Sequence, residues 1–277
     1  MKISYHSWKT YKECPKKFFL EYIKKAPPTS PINECFTLYG KLVEKFFENF
    51  CNIWRYQSPY MPPESIEPKL RILYDSILSS SILNWSSPIV KFTQEEVFEM
   101  AMKDIGAIMN SENQNYFLNT QSEVTIEITL NDSTILHGRL DFIHRNPISN
   151  DICILDGKGT DKIKKNISNN QLLFYALLYT LHHNIMPIEL GFFYFKRNLY
   201  APINFSRDIL NEFREQLSLD LKVLKSDDVF SATPCPKSCK YCKYSVGCLE
   251  HQKDRLTRVR PSKLKNIEGN GVIEFGF

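Results

Sequence analysis

The sequence predicts a mixed α/β fold, one sheet with helices around it, and three observations carry that reading. From residue 123 the apolar pattern takes a period of two and holds it through 123–130, 134–145 and 151–158, which reads as three strands. A helical pattern follows at 169–183. A further strand at 188–197 and a helix from Ser206 to about 225 come next. Strands that lead into a helix, another strand and another helix place helices against a shared sheet.

The elements can be justified in chain order. Residues 4–25 read as helical with a break at Cys14-Pro15. Ser4 or Ser7 suits the N-cap, and Pro15 suits the first turn of a second helix, where a missing N–H costs nothing. Pro27, Pro28 and Pro31 mark a loop. From Tyr39 to Ile53, Leu42, Val43, Phe46, Phe47 and Phe50 recur at helical spacing. Residues 56–122 read as a helical insertion, with a proline-rich stretch at 58–68 and amphipathic segments around 69–83 and 94–109. Asn131-Asp132-Ser133 and the stretch from Asn146 to Asn150 have turn composition. His182 and His183 close the 169–183 helix, where they complement its dipole. The expected organisation is a single domain over 1–277.

Composition narrows the function classes. Of 277 residues, 43% are hydrophobic and 24% charged, a balance that builds a folded core rather than a disordered chain. The longest apolar runs, such as Leu172 to Tyr179, fall far short of the ~18 residues that span a bilayer. The opening MKISYHSWKT lacks the apolar stretch of a secretory signal. A cytoplasmic protein with no membrane partner is expected. The net charge of +4 permits nucleic-acid binding without demanding it. Basic residues gather at Lys162, Lys164 and Lys165, at Lys196 and Arg197, and at Arg255, Arg258 and Arg260, which equally suits a solvated surface.

Chemistry concentrates on 134–158. Asp156 and Lys158 are two apart on a strand and project to one side. An acid there can hold a divalent metal while the lysine orients water or offsets developing charge at a phosphate. Asp141 lies one hairpin earlier, and paired strands can bring two such carboxylates to about 5 Å. Acids that close repel unless a cation lies between them. The flanking Leu140, Phe142, Ile154 and Leu155 mark both strands as largely buried. Gln171 and Tyr175 are four apart on a helix and share a face. Glu44, four residues after Gly40, is by itself an ordinary helix glutamate. Glu127, one strand before Asp141, is a candidate support for the same acids, and Arg139 and His137 stand beside them.

The chain has eight cysteines, many for a compartment where disulfides rarely persist. Cys239, Cys242 and Cys248 supply three clustered thiolates, so a metal is the better reading. The fourth ligand is Cys14 or Cys235; local spacing favours Cys235, which would close a compact zinc-like knuckle. Cys35, Cys51 and Cys153 read as core residues, as do Trp8, Trp54 and Trp85.

The order Gly40…Glu44, Gly138-Arg139-Leu140-Asp141, Asp156-Gly157-Lys158 and Gln171…Tyr175 resembles the RecB-like PD-(D/E)XK nuclease superfamily. With the cysteines the resemblance spans residues 4–248 and points to the branch of that superfamily that carries an iron–sulfur cluster. In that branch one cysteine precedes the first motif and three follow the last, which favours Cys14 over Cys235.

The resemblance implies a restriction-endonuclease-like core with a helical insertion at 56–122, and a 4Fe-4S cluster that joins 235–248 to Cys14. It implies a DNA nuclease, by family expectation an exonuclease on single strands or duplex ends. Mg2+ or Mn2+ would sit on Asp141, Asp156 and Glu44, with Lys158 catalytic and Gln171 and Tyr175 as the last motif pair. Glu44 stands where the family usually has histidine; carboxylate oxygen is an acceptable ligand for Mg2+, and the exchange also suits a catalytically weak DNA-binding subunit. Recombination, repair, phage DNA metabolism and CRISPR adaptation are the settings the family offers, each with possible protein partners. A zinc-stabilised interaction protein is the alternative if the acidic motifs are coincidental. No oligomeric state is read from the residues.

Overall fold

The computed structural model describes residues 1–29, 35–57, 60–80, 85, 92–161, 169–239 and 242–249. Strand β1 is Lys2–Ile3, helix α1 Tyr5–Glu13 and helix α2 Pro15–Phe18, which runs into a π-helical turn at Phe19–Ile23. Helix α3 is Cys35–Asn49, followed by a π-helical turn at Phe50–Trp54 and the short α4 at Arg55–Gln57. Then come α5 (Ile66–Ser80), α6 (Gln94–Met109) and a 3-10 turn at Glu112–Phe117. The sheet continues with β2 (Thr120–Thr129), β3 (Ile135–Arg145) and β4 (Ile152–Lys158). Helix α7 (Asn170–His183), strands β5 (Glu189–Tyr194) and β6 (Leu199–Pro202), helix α8 (Arg207–Ser226) and the short α9 (Pro236–Cys239) complete the order.

The chain divides into two compact units. The first joins Met1–Tyr5 to Asn33–Ser226 and holds the whole sheet. Its strand order is β1-β3-β4-β5-β6, with β2 along the other edge of β3. The meander β2-β3-β4 is antiparallel, β4 and β5 are parallel with α7 between them in sequence, and β6 returns antiparallel. One edge of β3 is shared. Its start pairs with β1 at Ile135 and Leu136, and its end pairs with β4 from Phe142 to Arg145. Among the described residues, 137–141 have no ladder partner on that edge.

Two packing layers hold the sheet. Leu42, Val43, Phe46, Phe47 and Phe50 of α3 and its following turn are fully buried, as their helical spacing predicts. They share a core with Leu70 and Tyr74 of α5, Ile105 and Ile108 of α6, and Phe142, Leu155, Phe193 and Phe195. Phe117 lies over Phe47 at 4.1 Å between ring centroids. Helix α7 is buried from Leu172 to Tyr179, so it is apolar all round. Helix α8 buries one stripe, Leu210, Phe213, Leu217, Leu221 and Leu224, and Ser206 Oγ caps it from Ile209 N at 3.3 Å.

Boundaries differ from the sequence reading where local chemistry overrides periodicity. β2 begins at Thr120, three residues inside the expected insertion. Its first inward positions are polar: Thr120 and Ser122 are buried, and their hydroxyls bond to Tyr116 O and Glu48 O. α5 begins at Ile66 because Pro68 fits a first turn. The strand expected over 188–197 stops at Tyr194, and a 3-10 turn carries Phe195–Arg197 to Asn198, whose φ of 46° reverses the chain into β6. α1 starts at Tyr5, which leaves Ser4 rather than Ser7 at the cap position.

The second unit joins His6–Ile32 to Asp227–Phe277. The expected helical break is present, with Cys14 extended (φ −164°, ψ 103°) between α1 and α2. Tyr11, Phe18, Phe19 and Phe230 form an aromatic cluster, and Tyr11 donates to Asp227 Oδ2 at 2.9 Å. Thr29 N reaches Lys243 O at 2.8 Å, Tyr244 donates to Ala26 O at 3.2 Å, and Lys243 pairs with Glu21 at 3.0 Å. Segments from the two ends of the chain are thereby stitched together. Lys162, Lys164, Lys165, Arg255, Arg258, Arg260 and His251 lie outside the described residues.

Candidate active site

The last β3–β4 ladder pair is Phe142 with Leu155. One residue further, Asp141 Oδ2 accepts the Gly157 N–H at 3.0 Å. A side-chain oxygen thus satisfies a strand amide just past the end of the ladder. Asp156, only 1% exposed, is ion-paired with Lys158, two residues on along β4. Lys158 Nζ also reaches Gln171 Oε1 at 3.5 Å, and Gln171 Nε2 donates to the Tyr175 hydroxyl at 3.2 Å. The two motifs read on β4 and on the helix therefore meet in one chain of polar contacts.

Two glycines set the spacing. A Cβ at Gly138 would lie 2.7 Å from Leu178 Cδ1 and 3.2 Å from Tyr175 Cε1, so α7 can seat Tyr175 beside β3 only over a bare backbone. A Cβ at Gly159 would lie 3.0 Å from the Gly40 Cα, which brings α3, and Glu44 one turn along it, up to the end of β4.

The acids raise one another's affinity for protons. Asp141 is pushed well above the usual carboxylate range, first by burial and then by Asp156 and Glu44, against the pull of the Gly157 N–H and Lys158. Glu44 is pushed up to about 7, first by burial and then by Asp156 and Glu123, with Lys158 and Arg139 opposing. Burial first, then the nearby Asp141 and Asp156, also raises the Tyr175 phenol, against the Gln171 hydrogen bond. All six expected site residues thus share one locality. Among the described residues no three Asp, Glu, His or Cys side chains close around a point as a finished metal cage. Asp156 turns to Lys158 instead. The donor set nevertheless fits a hard divalent cation: Glu44, Asp141 and Asp156 are oxygen donors whose mutual repulsion a cation would relieve.

Glu127 is not part of this group. It pairs across from His137 and forms an ion pair with Lys2. The glutamate that the acids do meet is Glu123, which the sequence reading passed over. The β2–β3 ladder runs from Ser122–Phe142 to Val124–Leu140, so Glu123 stands opposite Asp141. Its φ of 57° lies in the left-handed region, and its carboxylate holds Arg139 Nε at 2.6 Å. The turn sequence carried the signal. The hairpin is symmetric about Asp132, and counting outward from it pairs 123 with 141.

In the second unit Cys14, Cys239, Cys242 and Cys248 line one cavity of about 40 Å3, beneath Leu20 and Tyr244. Cys235 is exposed and absent from that lining; its N–H points at Cys239 Sγ, 3.3 Å away. Among the described residues these four sulfurs, like the acids, do not close around one point; as a set of soft donors their chemistry is that of iron–sulfur or zinc ligands. Cys51 and Cys153 are buried and donate to or meet Phe117 O and the Tyr200 hydroxyl, as ordinary core thiols do.

A family model described as the PD-(D/E)XK nuclease superfamily matches residues 2–249. No curated protein matches the chain. Among solved structures, the chain is similar to the crystal structure of SSO0001 at 18% identity, over 78% of this chain and 95% of that one, with a TM-score of 0.33.

Proposed function

Because this chain belongs to the PD-(D/E)XK nuclease superfamily, we propose that it is a metal-dependent, RecB-like DNA nuclease that acts as an exonuclease on single strands or duplex ends. The observation that carries this reading is the contact chain Asp156–Lys158–Gln171–Tyr175, set beside Asp141 and Glu44.

Asp141 and Asp156, with Glu44 as third donor, would hold Mg2+ or Mn2+, which supplies Lewis acidity and lowers the pKa of water when bound. The chain's own residues do the rest. Hydrolysis adds water across a P–O bond, and the phosphoryl oxygens gain charge as the water oxygen approaches phosphorus. Lys158, ion-paired with Asp156 two residues before it on β4, would offset that charge. Gln171 fixes the ammonium from one side, and Tyr175 fixes Gln171 in turn. Burial of Asp156 keeps bulk water from screening the pair.

The four-cysteine cavity supports a 4Fe-4S cluster on Cys14, Cys239, Cys242 and Cys248, acting as a structural staple in its unit. Recombination, repair, phage DNA metabolism and CRISPR adaptation remain the proposed settings. A second reading, a DNA-binding subunit with weak catalysis, is favoured by Glu44 alone. A carboxyl pushed up to about 7 is half protonated near neutral pH until a cation competes for it.

End-labelled single- and double-stranded DNA, incubated with Mg2+ or Mn2+, tests the proposal. Progressive loss of the label as mononucleotides or short products supports it. Intact DNA of every form, with both metals, refutes catalysis and leaves the second reading.

A further inference from the structure

The first unit holds a second concave site that the acids do not use. A cavity of about 630 Å3 opens beside the far end of β3, and Arg55, Tyr56, Ile143, Arg145, Asn150 and Tyr179 are among the residues that line it. No carboxylate lines it among the described residues. Both cations nevertheless contact neutral partners. Arg55 lies over the Tyr56 ring at 4.6 Å and donates Nη2 to the Tyr56 hydroxyl at 2.6 Å. Its buried Nε has no hydrogen-bond partner among the described residues. Arg145 donates Nη1 to Asn150 Oδ1 at 2.6 Å. Neutral groups thus hold two guanidiniums in place while neither charge is paired among the described residues. That arrangement suits an anion with several oxygens, because a guanidinium fork offers parallel donors. Tyr56 is 75% exposed, and a base can stack on an aromatic ring of that kind on the side that Arg55 does not cover.

Two rows of residues connect this cavity to the acids. Asp141 and Arg145 lie four residues apart on β3, and four residues of strand cover about 13 Å. Gln171, Tyr175 and Tyr179 form one stripe of α7, and four residues of helix cover about 6 Å. Tyr175 meets the acids and Tyr179 meets the cavity. A strand lying along these rows would place one phosphate at Lys158 and a later one between the guanidiniums.

We propose that the Arg55–Arg145 cavity is a nucleic-acid subsite, which takes a backbone phosphate and a stacked base of the strand that runs on from the bond to be cut. This rests on the nuclease reading, and its test is chosen to fail separately from it. Binding of a fluorescent single-stranded oligonucleotide by the full chain is measured by anisotropy over a range of salt, with Ca2+ in place of Mg2+. Arg55→Gln with Arg145→Gln is expected to weaken binding at least tenfold and to reduce the slope of log affinity against log salt by about 0.7, the value for the one phosphate lost. Tyr56→Ala is expected to weaken binding about fivefold or more with the slope unchanged. Arg55→Lys with Arg145→Lys keeps both charges and should keep the slope. Wild-type affinity and slope in the glutamine pair, or equal slopes lost by the lysine and glutamine pairs, would overturn the subsite. Wild-type protein that binds the oligonucleotide yet cuts no DNA with Mg2+ or Mn2+ instead overturns the nuclease reading.

Discussion

Asp141 and Gly157 are joined by a side-chain-to-backbone hydrogen bond of 3.0 Å at the point where β3 and β4 stop pairing. The same carboxylate is a proposed metal ligand, so structure and chemistry share one group, and substitutions can separate them. Asn keeps an oxygen acceptor for the Gly157 N–H but removes the charge; Ala removes both. Asp141→Asn should keep or slightly raise thermal stability, since it relieves crowded buried acids. Asp141→Ala should cost about 1–3 kcal/mol by leaving the amide unpaired. Both should cut the nuclease rate by about two to three orders of magnitude or more. Initial rates and melting curves on the pair check this, and an asparagine variant that cleaves at the wild-type rate would remove Asp141 from the site.

Glu44 makes a pH prediction whose sign follows from its shift. Its acid is raised in the folded protein from 4.5 to about 7. A raised acid means that the folded state holds the proton more tightly than the unfolded state does. Stability from this group is therefore greatest below about 4.5 and falls as pH rises through about 7. Without divalent metal, melting temperature should decline between those limits, by the equivalent of about 1–3 kcal/mol from Glu44. Glu44→Gln should flatten that decline, and so should Mn2+. Equal pH slopes in wild type and Glu44→Gln would show that Glu44 is not crowded.

Glu123 has a left-handed backbone that costs a non-glycine residue about 1–2 kcal/mol. Its ion pair returns little, because Arg139 is 70% exposed. Glu123→Gly should therefore stabilise the protein by about 0.5–1 kcal/mol. It should also lower the nuclease rate, since a carboxylate opposite Asp141 is lost and Arg139 is released. Stability and activity moving in opposite directions is the signature to seek. Unchanged activity would mean that the strain serves only the strand.

The cysteine cavity predicts which thiols hold iron. Ser variants of Cys14, Cys239, Cys242 and Cys248 should each lose iron and sulfide after anaerobic purification, whereas Cys235→Ser should retain them. Iron lost from Cys235→Ser but kept by Cys14→Ser reverses the assignment. One zinc per chain without iron or sulfide removes the cluster altogether.

The long elements were legible because their burial is one-sided or complete. Phe46, Phe47 and Phe50 announced α3, and the alternation from Ile135 to Arg145 announced β3. β1 was not legible, since two residues cannot show a period. β6 was hidden behind Asn198, whose left-handed turn splits what reads as one run. The motif residues Asp141, Asp156, Lys158, Gln171 and Tyr175 carried enough order to be found on the chain alone, and the structure brings them together. Glu123 was missed because a glutamate on a strand means little until the register is counted. Glu127, equally acidic and nearer the turn, drew the attention instead. The Arg55–Arg145 cavity was invisible, because its two cations are ninety residues apart and only the fold makes them neighbours.

The meeting of Gly40 and Gly159 is lopsided, and that has a consequence for how the chain tolerates drift. A Cβ on Gly40 would point into open space, while a Cβ on Gly159 would press on the Gly40 backbone at 3.0 Å. Backbone yields less readily than a side chain, so the helix itself would have to move by a few tenths of an ångström. In a randomised library the two positions should therefore fill unequally: alanine and serine accumulating at 40, glycine held at 159. A pattern anchored on the first glycine weighs the permissive partner, and the one that fixes how closely α3 approaches β4 lies just past Lys158.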